Sequence, residues 1–174
     1  MMKKLWISIA LLMTVVVAGC AKSQESVISF DTFTTTVKSP YVYTQTKVTS
    51  NDNVQKVYTT TQSGFRSSII IANEAVLSGD SISFANENLT TLRTNLENRG
   101  KITDTETISL NCGDKEIPAS ISTIEVTQWE TTRYVSQMYF VNNLKGYIIS
   151  HLSEDKSDAK SVQKWLRKLT CEKA

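Results

Sequence analysis

The only histidine, His151, is of the residue type that most often serves as a general base or a metal ligand near neutral pH. A single histidine excludes motifs that need a histidine pair, such as HExxH. Serines are plentiful, but none lies in a GxSxG elbow, so no particular serine is indicated for a Ser-His-Asp triad. We therefore interpret His151 as an ordinary histidine of the surface or of a strand edge. The sequence predicts no catalytic residue and no enzyme activity.

Carboxylate pairs are the other side chains that could do acid–base or metal chemistry. Asp104 and Glu106 stand two apart in a predicted strand, and Glu154 and Asp155 precede a predicted helix. Solvation and the helix dipole account for both pairs. The segment 51–53, Asn-Asp-Asn, lacks the glycine and the distal glutamate of a Ca²⁺ loop, and the sequence contains no glycine-rich phosphate loop. We predict neither a metal ion nor a cofactor.

Two of the three cysteines, Cys112 and Cys171, stand in the predicted domain. An even pair in an exported domain most often forms a disulfide. Such a bond would close a long loop and would stabilise the fold by about 4 kcal/mol in the chain-entropy model. The alternative, a pair of metal-binding thiols, lacks CxxC spacing and a nearby histidine. We predict a disulfide that fastens the end of the last helix to the sheet.

The third cysteine, Cys20, ends a segment with the order of an export signal. Lys3 and Lys4 precede an apolar run over 5–17, and small residues stand directly before the cysteine. The closing Val-Ala-Gly-Cys resembles the lipobox of bacterial lipoproteins. The apolar run is shorter than the roughly twenty residues of a spanning helix. The alternative is a secretory signal with an incidental cysteine near its cleavage site.

The lipobox resemblance implies cleavage before Cys20 and acylation of this cysteine on its sulfur and its amine. Residues 1–19 would then be a cleaved signal peptide, 20–26 the acylated cysteine and a short tether, and 27–174 one domain. In Gram-negative lipoproteins, an Asp directly after the acylated cysteine often retains the protein in the inner membrane. Here that residue is Ala21, which favours the periplasmic face of the outer membrane of a bacterial cell envelope. The expected partner of Cys20 is therefore the membrane itself.

Charge argues against nucleic acid as a partner. The chain has 19 basic and 17 acidic residues, and the loss of Lys3 and Lys4 with the signal makes the two counts equal. A nucleic-acid-binding domain usually has a clustered basic face. The sequence also contains no run of like charges that would indicate a polybasic membrane patch.

Alternating apolar residues predict a series of strands around these residues. The sequence predicts a strand over 27–37, a hairpin of 41–48 with 54–61, and a buried strand over 68–72. After the first helix, strands are predicted over 101–112, 117–126, 132–141 and 147–152. The last two form the clearest hairpin of the chain.

Two amphipathic helices complete the prediction. The first covers 84–99, with Ser83 as its N-cap and Gly100 as a left-handed stop. The second covers 157–169, with Ser157 or Asp155 as its cap and lysines on its outer side. Together these elements predict an α+β domain, in which two helices cover one antiparallel meander sheet. This element order resembles the Mog1/PsbP-like fold, from which no functional residue is carried over.

Several aromatic side chains could form a binding surface. Tyr41, Tyr43 and Tyr58 could line one face of the early hairpin, and Trp129 with Tyr134 lies near a strand junction, but such residues more often fill a core. Trp165 has the helical spacing of a core residue.

Two functions fit the sequence. The first is a non-catalytic, lipid-anchored envelope protein that binds or helps to assemble another envelope protein. A surface-exclusion lipoprotein of a mobile element would have the same sequence features. The alternative is a small-ligand or lipid-binding module with a pocket between the sheet and a helix.

Overall fold

The computed structural model describes residues 23–30, 33–50, 54–60, 67–96, 99–128 and 130–171, and Cys20 lies outside them. Within these ranges the chain forms ten strands and two helices. The strands are β1 (Gln24–Phe30), β2 (Phe33–Ser39), β3 (Tyr43–Ser50), β4 (Val54–Thr60), β5 (Ser67–Ala75), β6 (Gly100–Cys112), β7 (Lys115–Gln128), β8 (Thr131–Asn142), β9 (Lys145–Ser153) and β10 (Thr170–Cys171). The helices are α1 (Ser81–Leu96) and α2 (Lys156–Leu166).

Eight strands form one sheet in the order β10-β6-β7-β8-β9-β5-β4-β3, and β1 pairs with β2 in a separate hairpin. The edge strand β10 runs parallel to β6, whereas the other neighbours pair antiparallel. The predicted combination of a mostly antiparallel sheet with two helices is confirmed. A single antiparallel meander is wrong, because two meanders, β3-β4-β5 and β6-β7-β8-β9, are joined where β5 pairs with β9.

Helix α1 makes this strand order possible. Three strands separate β5 from β6, a distance of roughly 19 Å at a strand spacing of about 4.8 Å. The 16 residues of α1 extend about 24 Å, so the helix can carry the chain across the face of the intervening strands. Its contacts with β8, β7 and β6 follow that path.

The strand predicted over 27–37 is two strands. β1 and β2 pair antiparallel, with Phe30 opposite Phe33. The strand also begins earlier than predicted, at Gln24, and buried Ser26 accepts a hydrogen bond from the amide of Tyr43 at 2.8 Å. The predicted hairpin that follows is confirmed as β3 and β4, although residues 51–53 lie outside the described residues.

The two helices cover opposite faces of the large sheet. On β8, Met138 and Phe140 belong to the core beneath α2, whereas Tyr139 and Val141 belong to the core beneath α1. Successive strand residues point to opposite faces, so the two cores are separated by the sheet. The hairpin of β1 and β2 shares the core beneath α2, and its buried side chains are Ile28, Phe30 and Val37.

The ends of the helices follow local hydrogen-bond chemistry. Asp80, not the predicted Ser83, caps α1, because its Oδ1 accepts from the amide of Ile82 at 2.9 Å. Gly100 is the first residue of β6, not a left-handed stop; a Cβ there would lie 2.9 Å from the carbonyl oxygen of Glu125. The small residue is needed for close packing. For α2, the predicted cap Asp155 is confirmed, and its Oδ1 accepts from the amide of Ser157 at 2.7 Å.

Candidate functional site: a buried histidine–aspartate cluster

The only histidine lies in the middle of the sheet. His151 belongs to β9, where it faces Ile69 of β5 on one side and Ser136 of β8 on the other. Its side chain is fully buried, so the expectation of a surface or strand-edge histidine is wrong. The sequence alone could not show that His151 is buried, because β5, which pairs with β9 on one side, lies much earlier in the chain.

Four buried polar side chains form one hydrogen-bonded cluster with His151. They come from the end of β2, the start of β3, the start of β5 and the first turn of α2, and they are Ser39, Tyr43, Ser67 and Asp158. The imidazole Nε2 lies 3.0 Å from Oδ2 of Asp158, 2.9 Å from Oγ of Ser67 and 3.2 Å from the hydroxyl of Tyr43. We call these five residues the buried polar cluster.

The carboxylate of Asp158 determines where the protons of the cluster lie. An ionised carboxylate only accepts hydrogen bonds, so His151 must carry its proton on Nε2 and donate it to Asp158. Tyr43 donates to both carboxylate oxygens, at 3.1 and 2.9 Å, and Ser39 donates to Oδ1 at 2.5 Å. The hydroxyls of Ser67 and Tyr43 are 2.6 Å apart, which lets Ser67 donate to the phenol oxygen. Asp158 is therefore the common acceptor of three donors.

The same contacts change the acidity of the cluster. Burial alone would raise the pKa of the Asp158 carboxyl, but the hydrogen bond and electrostatic attraction of His151 and the hydroxyl of Ser39 lower it below its ordinary value. Burial, reinforced by the negative charge of Asp158, raises the pKa of the Tyr43 phenol well above its ordinary value. Asp158 therefore stays ionised near neutral pH, and Tyr43 remains a donor.

Ser67, His151 and Asp158 are the residue types of a catalytic triad, but their arrangement differs from one. In a triad, the serine and the aspartate contact different nitrogens of the imidazole. Here both contact Nε2, and the nitrogen that would accept the proton of Ser67 already donates to Asp158. The other nitrogen, Nδ1, has no hydrogen-bond partner among the described residues. All three side chains are also closed to solvent, so the cluster is suited to holding elements together.

One sequence signal could have revealed Asp158. It lies on the same face of α2 as Val162 and Trp165, four and seven residues further on, and that face is buried. An ionised carboxylate on an apolar helix face needs buried donors. The donors themselves lie in three strands and could be identified only from the fold.

The predicted cysteine pair lies at disulfide distance. Cys171 of β10 faces Cys112 of β6 in the parallel register, and their Cα atoms are 4.3 Å apart. The amide of Gly113 also donates to the carbonyl of Cys171 at 2.9 Å. The segment after α2 is thus attached to the edge of the sheet, as the sequence predicts.

The predicted carboxylate pairs have ordinary structural partners. Glu106 binds Arg167 with an Oε1–Nε distance of 2.7 Å, and Asp104 is exposed. Glu154 lies 3.5 Å from the Nε of Arg133. Asp155 caps α2 and also accepts from the hydroxyl of Tyr41 at 3.2 Å.

The aromatic side chains mostly fill the core, as the sequence favours. Tyr43 and Tyr58 are buried, and the hydroxyl of Tyr58 donates to the carbonyl of Ser29 at 2.7 Å. Trp165 is buried as predicted, and its indole nitrogen donates to Thr35 at 3.2 Å. Tyr134 is half-buried beneath the ammonium group of Lys156, whereas Trp129 lies outside the described residues.

A surface groove of about 440 Å³ lies between α2 and the hairpin of β1 and β2. We call it the lysine groove, because three of the described side chains that line it are lysines and none of them is acidic. Its lining residues are Ser23, Thr35, Thr36, Lys38, Ser161, Lys164, Trp165 and Lys168.

Across the described ranges, no three histidine, cysteine, aspartate or glutamate residues form a group that could hold a metal ion. The helices in those ranges are too short or too polar to span a bilayer. Comparison with models of protein families gives no match for this chain. Comparison with curated proteins also finds no significant match.

Proposed function

We propose that the chain is a non-catalytic, lipid-anchored protein of a bacterial cell envelope, whose domain binds or helps to assemble another envelope protein. The observation that carries the binding role is Leu144. This side chain is 58% exposed and occupies a left-handed conformation, with φ 57°, in the two-residue turn between β8 and β9. Both turn residues have positive φ, a geometry for which Asn-Gly is the preferred sequence.

Leu144 is unfavourable at this position for two independent reasons. A left-handed conformation costs an L-residue roughly 1–2 kcal/mol, and an exposed leucine gains nothing from burial. Glycine would remove both costs. A strained residue at an exposed tip is a reasonable indicator of function, because a contact made there would offset its cost.

A second exposed leucine lies in the neighbouring loop. The amide of Val76 donates to the carbonyl of Leu144 at 3.0 Å, and the next residue, Leu77, is fully exposed. We call Leu77 and Leu144 the leucine tip. Two apolar side chains presented by adjoining loops suit a contact with another protein.

The proposed membrane anchor is supported by the first residues of the sequence. The lipobox-like segment ends at Cys20, and β1 begins at Gln24. Acyl chains on Cys20 would therefore hold the domain directly against a membrane, for which the periplasmic face of the outer membrane is the proposed location. The cysteine pair at disulfide distance supports an oxidising compartment.

The buried polar cluster supports a non-catalytic role, because its histidine and serine are closed to solvent and arranged to hold α2 against the sheet. We also propose a Mog1/PsbP-like relationship for the domain, supported by early strands, a helix, four meandering strands and a closing helix. The alternative, a ligand pocket between sheet and helix, has less support. Beneath α2, apolar side chains that include Val162 and Leu166 already fill that space together with Met138 and Phe140.

Crosslinking of the acylated protein in its own envelope tests the binding role. We expect Leu144→Gly to raise the melting temperature and at the same time to lower the yield of a specific crosslinked protein. Leu77→Ser should lower the same yield without changing stability. The control is Val27→Thr, because Val27 is 65% exposed but belongs to β1, away from the leucine tip. Equal crosslinking by all variants would contradict a role for the tip.

The anchor is tested separately, by membrane fractionation and by the mass of the N-terminal peptide. The native chain should float with membranes and carry acyl groups on Cys20, and Cys20→Ser should lack those groups. An unmodified Cys20 in the native protein would contradict the anchor and leave the result for the leucine tip intact.

A further inference from the structure

Four lysines of α2 and the turn after it recur at every fourth position. They are Lys156, Lys160, Lys164 and Lys168, and all are exposed. A spacing of four places consecutive members on the same side of a helix. The four lysines do not form a run of like charge in the sequence, because three residues separate each lysine from the next.

The hairpin adds a fifth lysine to this surface. Lys38 of β2 lines the lysine groove together with Lys164 and Lys168. Glu25 neutralises Lys38 in part, with a distance of 2.8 Å between Nζ of the lysine and Oε1 of the glutamate. Both side chains are largely exposed, so another anionic group can readily replace Glu25 as the partner of Lys38. None of the described residues that line the groove is acidic.

The lysine groove lies close in sequence to the proposed anchor, Cys20. Ser23, the first described residue, lines the lysine groove, and Cys20 precedes it by three residues. Three extended residues span at most about 11 Å, which is close to the Debye length of roughly 8–10 Å at physiological ionic strength. Acyl chains on Cys20 would therefore keep these lysines within electrostatic reach of the membrane surface.

We infer that Lys38, Lys164 and Lys168 bind anionic phospholipid headgroups of the membrane that holds Cys20, so that the domain lies with α2 against the bilayer. This inference rests on the proposed acylation. Ammonium groups near an anionic membrane are attracted to its phosphates, and several together act additively. An acidic protein could meet the same charges, but the three-residue distance from the anchor favours the membrane.

Lysine footprinting of the acylated full-length chain tests this orientation. The protein is reconstituted on vesicles of phosphatidylcholine alone or with about one third phosphatidylglycerol, and lysines are acetylated and quantified by mass spectrometry. We expect the labelling of Lys38, Lys164 and Lys168 to fall several-fold on the anionic vesicles and to recover in high salt. Lys101, at the start of β6 near α1, is the internal control and should label equally on both.

The double variant Lys164→Glu/Lys168→Glu should remain acylated and folded, since both positions are exposed, but Lys38 should lose its protection. In the matched variant Lys101→Glu, Lys38 should keep its protection. Equal labelling of an acylated, vesicle-bound protein on both vesicle types would overturn the inference. Protection in native envelopes that is absent on anionic vesicles would also overturn it and indicate an acidic protein partner. A chain without acyl groups would instead contradict the proposed function.

Discussion

Asp158 of helix α2 and His151 of strand β9 form a hydrogen bond of 3.0 Å between two side chains that have no exposure to solvent. The bond joins the first turn of the last helix to the centre of the sheet. Because Asp158 also accepts from Ser39 and Tyr43, one carboxylate connects α2, the first hairpin and two sheet strands.

Asp158→Asn should destabilise the domain by about 3–5 kcal/mol, the typical cost of breaking a buried charged network by changing one member. The new amide keeps one acceptor oxygen, but its NH2 group would face the donor of Tyr43 together with that of either His151 or Ser39. Denaturant unfolding measures the loss. Asp104→Asn is the matched control, because Asp104 is exposed and should change stability by less than about 0.5 kcal/mol. Equal effects of the two substitutions would contradict the role of the cluster.

Acid should weaken the fold through the same carboxylate. The pKa of Asp158 is lower in the folded protein than the value of about 3.9 for an unfolded chain. The unfolded state therefore binds more protons between these two values, and stability falls as the pH drops through them. The stabilisation is fully present above about pH 5. Unfolding curves of the native chain and of Asp158→Asn should differ most near neutral pH and converge in acid; a constant difference would show that Asp158 does not titrate in this way.

Removal of the cysteine pair should also destabilise the domain. The two cysteines are 59 residues apart in the chain, and a disulfide across a loop of that length contributes about 4 kcal/mol in the chain-entropy model. Cys112→Ser should lower the melting temperature and expose a reactive thiol at Cys171. Reduction of the native protein should have the same effect on melting, whereas reduction of the double variant Cys112→Ser/Cys171→Ser should have none. Unchanged melting of the native protein after reduction would argue against the bond.

Gly146→Ala should disturb the packing of α1. A Cβ at Gly146 would lie 2.5 Å from two ring carbons of Phe84 and 2.9 Å from Val76, so either the helix or β9 must shift. Overpacking of this kind costs about 1–3 kcal/mol. Gly79→Ala is the control, because a Cβ there meets no atom within 4 Å. Thermal melting that separates the two variants by several degrees would confirm the close contact, and equal melting would refute it.

Local patterns predicted most strands and both helices, because each of those signals lies within a few neighbouring residues. The hairpin of β1 and β2 was missed even though its sequence contains a signal. The buried positions Ile28 and Phe30 are even-numbered, whereas Val37 and Ser39 are odd-numbered, and a single strand changes faces in this way only at a β-bulge. A change of parity along an apparently continuous strand therefore indicates either a bulge or a reversal of the chain.

The strand order and the buried polar cluster could not be predicted in the same manner. The members of the cluster come from β2, β3, β5, β9 and α2, and only the pairing of β5 with β9 brings Ser67 to His151. The cysteine pair was predictable because its chemistry does not depend on the strand order. The lysines of α2 were visible in the sequence, but their significance depends on where Ser23 lies.

The contact between the first hairpin and the last helix also determines when the domain can fold. Ser39 binds Asp158 across 119 residues, and Trp165 binds Thr35 across 130. A chain that emerges with its N-terminus first must keep Ile28, Phe30 and Val37 exposed until α2 has followed, because the core that buries them contains that helix. Such long-range contacts slow folding. The topology thus delays completion of this core until α2 has been synthesised, so the first hairpin cannot be buried while the chain is still growing towards that helix.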